Sequence, residues 1–194
     1  EGKSVAFSIM EQKTRYHLSN SDIAILYRTN SQSRIFEEYL RRKNISYRVF
    51  GGQSFYQRKE IKDMIAYMRM IVNPKDEEAL KRVINYPKRG IGKTTFDKIV
   101  KTAGQMNLSV WDTLIRYKGT PRNAKNIREF VQIIQSIQKQ LDAKDAFEVG
   151  ELIARKSGIL QLLKADNSIE GSNRLENVTA LLDGMKEFVE NDEV

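Results

Sequence analysis

The sequence predicts a mainly α-helical chain that opens with a small N-terminal α/β piece of βαβ order. Two observations carry this. Two short apolar runs flank one amphipathic stretch within the first 52 residues, and beyond Gly52 every apolar pattern follows helical spacing.

Residues 3–13 are expected to form a helix. The run "DIAILY" (22–27) is rich in β-branched residues and reads as a buried strand. "SQSRIFEEYLRRKN" follows, with Ile35, Phe36, Tyr39 and Leu40 on one helical face and Ser31 or Ser33 near a cap position. "ISYRVF" (45–50) reads as a second strand, closed by Gly51-Gly52. Strand, helix and strand in so short a span suggest a βαβ unit with parallel strands. Two strands do not make an independent sheet, so this piece is expected to belong to a larger α/β domain.

After Gly52, "RKEIKDMIAYMRMIV" places Ile61, Met64, Ile65, Met68, Ile71 and Val72 at helical spacing, and Asn73-Pro74 ends the helix. Further helices are expected at about 76–85, 94–106, 109–117, 122–142 and 145–164. A long final helix, about 170–190, carries Leu175, Val178, Leu181, Leu182, Met185 and Phe188. The methionines and aromatics sit at core spacing and read as packing.

With 194 residues, 40% hydrophobic and 30% charged, the chain is long enough to bury a real core. It has no cysteine, which removes disulfides and thiolate metal sites and suits a reducing compartment. His17 is the only histidine, so metal clusters built on several histidines are excluded. No apolar run approaches membrane-spanning length. The chain lacks an initiator Met and begins and ends among charged residues, as expected of a piece of a longer polypeptide.

The net charge of +8 is uneven. Residues 1–60 hold eleven Lys or Arg against six Asp or Glu, and residues 61–104 hold ten against five. Residues 105–194 hold twelve against fourteen. The basic excess therefore lies in the first 104 residues, where a polyanion partner and a plain solvated surface are both open readings.

Within that basic half, "INYPKRGIGKTTFDKIV" (84–100) contains Gly92-Lys93-Thr94, the ending of a nucleotide-binding loop. That loop needs a glycine five positions before Gly92, where Pro87 stands, and a preceding buried strand, where a surface helix is expected. The segment reads instead as a turn between helices, with Gly90 and Gly92 allowing close backbone approach and Ile91 pointing inward as a pin. Exposed N–H groups at the next helix start, with Lys88, Arg89 and Lys93 around them, would suit one phosphate of a DNA backbone. A plain connector capped by glycines is the competing reading.

Three separated stretches, "DIAILYRTNSQSR" (22–34), "YRVFGGQSFYQRKEIKDMIAYMRMIVNPKDEEALKRVINYPKRGIGKTT" (47–95) and "SNRLENV" (172–178), resemble superfamily 1 DNA helicases of the UvrD/PcrA type. The likeness covers nearly the whole chain in matching order. It implies that residues 1–52 are the first portion of subdomain 2A, a RecA-like domain carrying motif IV. Residues 53–194 would be the all-helical subdomain 2B, incomplete at its C-terminus.

The resemblance also implies site residues. Arg28 and Asn30 would contact the single-stranded backbone, with local capping by Asn30 as the alternative. Lys62, Gly90, Ile91, Gly92, Lys93 and Thr95 would touch duplex phosphates, although Thr94 or Thr95 could equally be the helix cap. Arg58 and Glu60 are expected to pair locally and brace the 2A/2B junction. No catalytic or metal-binding residue is expected, since the ATP-binding motifs of the family are missing.

The function implied is that of a non-catalytic, DNA-binding portion of an ATP-dependent 3′-to-5′ DNA helicase, gripping the duplex near the unwinding junction. The alternative is a regulatory, protein-contacting subdomain with little DNA affinity of its own. ATP and Mg²⁺ would serve the parent helicase and not this portion. Implied partners are DNA, subdomains 1A and 1B, the rest of 2A, and repair or replication proteins, with no membrane. The implied setting is the bacterial cytoplasm, at the nucleoid.

Overall fold

The computed structural model describes residues 1–192. Ten α-helices follow in order: α1 (Gly2–Tyr16), α2 (Ser33–Arg42), α3 (Lys59–Val72), α4 (Glu77–Val83), α5 (Lys93–Met106), α6 (Val110–Ile115), α7 (Pro121–Gln138), α8 (Ala146–Lys156), α9 (Ile159–Lys164) and α10 (Ile169–Asp192). Among the described residues there is no strand.

The α/β expectation is therefore corrected to an all-helical fold. The runs 22–27 and 45–50 lie on either side of α2 as irregular backbone without ladder pairing. Their β-branched composition favours a strand only where a neighbour supplies hydrogen bonds and a covering face. Here Leu26 is 93% exposed and Phe50 is 79% exposed, so neither run has the burial that would hold a sheet together. One side-chain bond ties the short turn before the first run to the second, from Asn20 Nδ2 to the Ser46 carbonyl (3.1 Å).

The helical expectations fare differently along the chain. Capping side chains fix several starts: Asp76 accepts from Ala79 N–H (3.0 Å), Ser109 from Asp112 N–H (3.0 Å) and Asp145 from Glu148 N–H (2.8 Å). Asn73 ends α3 as the Asn-Pro step requires. The single helix expected over 145–164 is instead α8 and α9, broken at Gly158, whose φ of 85° is a conformation glycine adopts without strain. Val72 and Phe188, both expected in the core, are exposed.

α3 is the central member, with α4, α7, α8 and α10 packed on it. Its Ile61, Met64, Tyr67 and Met70 are fully buried, and one continuous core runs from Phe55 to Leu181. Each such side chain removed from water contributes about 1.5–3 kcal/mol, which is what makes α3 the mast of the bundle. α1 packs separately on α2, burying Ala6, Ile9 and Leu40. The approach is close, since a Cβ on Gly2 would stand 2.7 Å from the Ile35 carbonyl oxygen.

A buried polar network fastens α2 to the bundle. Arg58 donates to Asn177 Oδ1 (2.7 Å) and Ser33 Oγ (2.8 Å), and Asn177 Nδ2 donates to Glu60 Oε1 (2.6 Å). Arg58 and Glu60 thus meet through Asn177 of α10 and do not pair with each other as expected. Glu37 accepts from the Phe55 N–H (2.9 Å), Tyr47 OH (2.9 Å) and Ser54 Oγ. Arg34 bridges Glu38 (3.0 Å) and Glu187 of α10 (3.3 Å).

Candidate nucleic-acid interface

The turn between α4 and α5 is built from beneath by two side chains. Asn85 Oδ1 accepts from the N–H groups of Arg89 (2.9 Å) and Ile91 (3.1 Å), closing residues 85–91 into a tight loop. An asparagine side chain that satisfies nearby backbone donors in this way replaces the hydrogen bonds a regular element would supply. Arg89 then anchors the loop from inside. Its guanidinium donates to the carbonyls of Val83 (3.3 Å), Pro87 (3.1 Å) and Ser157 (2.6 Å). The same group lies 5.9 Å over the Tyr67 ring and 5.5 Å over the Phe130 ring.

Tyr67 completes the base, its one hydroxyl proton donated to the Tyr86 carbonyl (2.5 Å) with the Val83 carbonyl 3.3 Å away. Burial pushes its phenol up to about 12, so it remains a donor at neutral pH. Ile91 is 1% exposed and its N–H is taken by Asn85, so its side chain acts as the inward pin. Arg89 likewise faces inward, and outward charge at the turn comes from the exposed Lys88 and Lys93.

The upper surface is open backbone. Gly90 is exposed with φ of 73°, where a side chain would be strained. Gly92 is the N-cap of α5, with an ordinary φ of −74° and open space within 4 Å of where a Cβ would stand. Neither Thr94 nor Thr95 is the cap, and no side chain caps this helix. Among the described residues no protein acceptor takes the N–H groups of Gly92, Lys93 and Thr94. Thr95 turns toward α7, its hydroxyl accepting from Asn123 Nδ2 (3.2 Å).

The other expected contacts are not gathered here. Lys62 stands half-exposed on α3 with no ion pair among the described residues. Lys59, one turn earlier, is the lysine that reaches the approach to the turn, 5.3 Å over the Tyr86 ring. Arg28 and Asn30 are exposed beside α2. The Gln32 side chain accepts from the N–H groups of Arg28 (2.9 Å) and Thr29 (3.1 Å), so local capping falls to Gln32 and Thr29, leaving the side chains of Arg28 and Asn30 outward.

Asn85, Asn123 and Lys59 were not singled out by sequence. Asn85 had a signal, an asparagine just before a Pro and Gly turn. The other two are brought in by packing alone.

Residues 1–193 match the family described as UvrD-like helicase C-terminal domain. The chain belongs to that family. It is 39% identical to the ATP-dependent DNA helicase PcrA of Staphylococcus aureus over 173 residues, covering 88% of this chain and 24% of that protein. Against the ATP-dependent DNA helicase PcrA of Staphylococcus epidermidis it is 39% identical over 194 residues, covering 98% and 26%. The UvrD-like chain thus spans about a quarter of the length of the curated relatives it matches.

Whether this UvrD-like chain could hold the nucleotide of those relatives is tested by its donors. Gly92-Lys93-Thr94 follows helix α4 and an irregular turn, with Pro87 where the phosphate loop needs its first glycine. Among the described residues no group of three or more His, Asp or Glu could hold a metal ion. Residues 87–94 therefore do not fit a nucleotide phosphate loop. Among the described residues no helix is long and apolar enough to cross a membrane.

Proposed function

We propose that this chain is a DNA-holding portion of an ATP-dependent 3′-to-5′ DNA helicase and performs no hydrolysis itself. The turn at 90–95 grips a phosphate of the duplex near the unwinding junction, through free backbone N–H groups and the cations of Lys88 and Lys93. Lys62 adds charge from α3, and Arg28 and Asn30 contact the single strand. Residues 1–52 act as the first part of subdomain 2A and residues 53–194 as most of 2B, the remaining helicase subdomains being their partners.

The observation that carries this reading is Gly92. Its φ is ordinary and a Cβ would meet nothing. Ser, Asp or Asn would also cap α5 better than Gly. Nothing inside the chain requires glycine there, whereas a phosphate backbone approaching from outside does.

The variant Gly92→Asp separates the two demands. It supplies a side-chain cap and should leave the melting temperature unchanged or raised. It also places a carboxylate against the phosphate, so binding to a labelled duplex with a 3′ tail should fall more than about tenfold. The unaltered chain is expected to bind at roughly 10⁻⁴–10⁻⁶ M, weakening steeply with salt. Equal binding by the two chains would rule out the turn as the contact. No binding by either at low salt would put the regulatory, protein-contacting reading in its place.

A further inference from the structure

We infer that the duplex-holding surface does not end at the glycine turn but continues onto α7, where Arg122 and Lys125 take a second stretch of phosphate backbone. This rests on the reading of the turn given above and extends it to a surface that motif resemblance did not point to.

Charge is the first support. Residues 113–128 hold Arg116, Lys118, Arg122, Lys125 and Arg128 with no Asp or Glu among them. The tally over residues 105–194 is negative and conceals this run, because the acids gather beyond it. Residues 79–96, which contain the turn, are likewise free of acids and hold five cations. Two such acid-free segments raise the local potential far above what the net charge suggests.

The fold brings the two segments into contact. Asn126 Nδ2 lies 3.0 Å from where a Cβ on Gly90 would stand, and Asn123 Nδ2 donates to Thr95 at 3.2 Å. α7 therefore lies against both ends of the turn. Its Ile127, Phe130, Val131, Ile134 and Ile137 are buried, which fixes the rotation of the helix about its axis. Arg122 precedes Asn126 by four residues, so it stands one turn away on the same stripe, about 5–6 Å along.

The cations are available to a ligand. Arg122 and Lys125 are exposed, and among the described residues Arg122 has no carboxylate partner. Lys125 has only Glu129, at 3.9 Å and itself more than half exposed, a pair worth little in water. The half-buried Asn126 side chain makes no hydrogen bond among the described residues and is free to donate where turn and helix meet. A row of lysine and arginine with interleaved amides, continuous with a backbone phosphate clamp, matches a sugar–phosphate backbone and reads no base edges.

The test uses the whole chain and a blunt labelled duplex, by anisotropy across a salt series, with four proteins and one neutral control variant. These are the unaltered chain, Arg122→Glu/Lys125→Glu, Gly92→Asp, and Lys3→Glu/Lys43→Glu, which changes net charge equally on the α1–α2 side. The α7 pair should lose more than about tenfold in affinity, and the slope of log K against log salt should shrink by about two. The Lys3/Lys43 pair should change affinity less than about threefold. The neutral pair Arg122→Gln/Lys125→Gln should show the same loss of slope, separating lost contacts from new repulsion.

If the α7 variants bind like the Lys3/Lys43 control while Gly92→Asp fails, the surface ends at the turn and this inference is overturned with the proposed function intact. If the unaltered chain does not bind at low salt, both are overturned together.

Discussion

The turn at 85–92 and the segments at 22–27 and 45–50 are all irregular backbone, and they are held in opposite ways. The turn has an asparagine and an arginine placed beneath it, which between them serve two N–H groups and three carbonyls of the main chain. Its aliphatic pin, Ile91, is buried. The segments near the N-terminus turn Leu26 and Phe50 to solvent, and the nearest side-chain tie runs from Asn20, ahead of the first, to Ser46 in the second. Irregular backbone is ordered to the extent that its polar groups find fixed partners. Apart from Ser157, the turn finds these partners within residues 83–91, whereas strand-like runs need neighbours of their own kind.

Three changes would break or sharpen that contrast. The largest effect is expected from Arg58→Ala, which leaves Asn177 and Ser33 without their common donor and frees the amide that holds the buried Glu60. The chain should lose more than about 3 kcal/mol in urea denaturation, and amides of α2 should exchange faster while those of α3 stay protected. A loss under 1 kcal/mol would mean that apolar packing, and not this network, fastens α2.

Next comes Arg89→Ala, expected to cost about 2 kcal/mol through the carbonyls it leaves unpaired. Hydrogen exchange at residues 88–95 should then rise to the level of 22–27, making the turn resemble the segments it is contrasted with. Unchanged protection would show that Asn85 holds the turn alone.

The smallest change is an acid one. Burial pushes the Glu37 carboxyl up, but Ser54, the Phe55 N–H and Tyr47 outweigh it and hold the group below its ordinary 4.5. A carboxyl depressed on folding contributes stability that is complete above its ordinary value and is lost as pH falls through the lower, folded one. The margin of the unaltered chain over Glu37→Gln should therefore be about 1 kcal/mol at neutral pH and close below pH 4.5. A margin that widened in acid would contradict the arrangement of donors.

Much of this was legible in the sequence, for reasons that differ by residue. Asn73-Pro74 and the Gly-Ile-Gly turn are local devices, and both act where they stand. Helical spacing located α3 but extended its buried face one residue too far, to Val72, because periodicity alone does not mark where the bundle's surface begins. Gly158 sat inside an apolar pattern continuous across 145–164, so its break was hidden. The βαβ reading failed for a deeper reason: a β-branched run states a capacity for pairing, and pairing is decided elsewhere in the fold. Charge misled in one respect, since the formula of Arg89 does not say which way it faces.

The anchoring of Arg89 on Ser157 has a mechanical consequence. Ser157 lies just past the end of α8, and Gly150 on that helix lets Leu182 and Met185 of α10 come within about van der Waals reach, 3.0 Å from where a Cβ would be. α10 in turn carries Asn177 and Glu187, the partners of Arg58 and Arg34. A tug on the glycines is therefore borne lengthwise by stiff rods and bolted joints until it reaches α2. The chain is framed like a truss, and load entering at the turn leaves by the fastening at the other end.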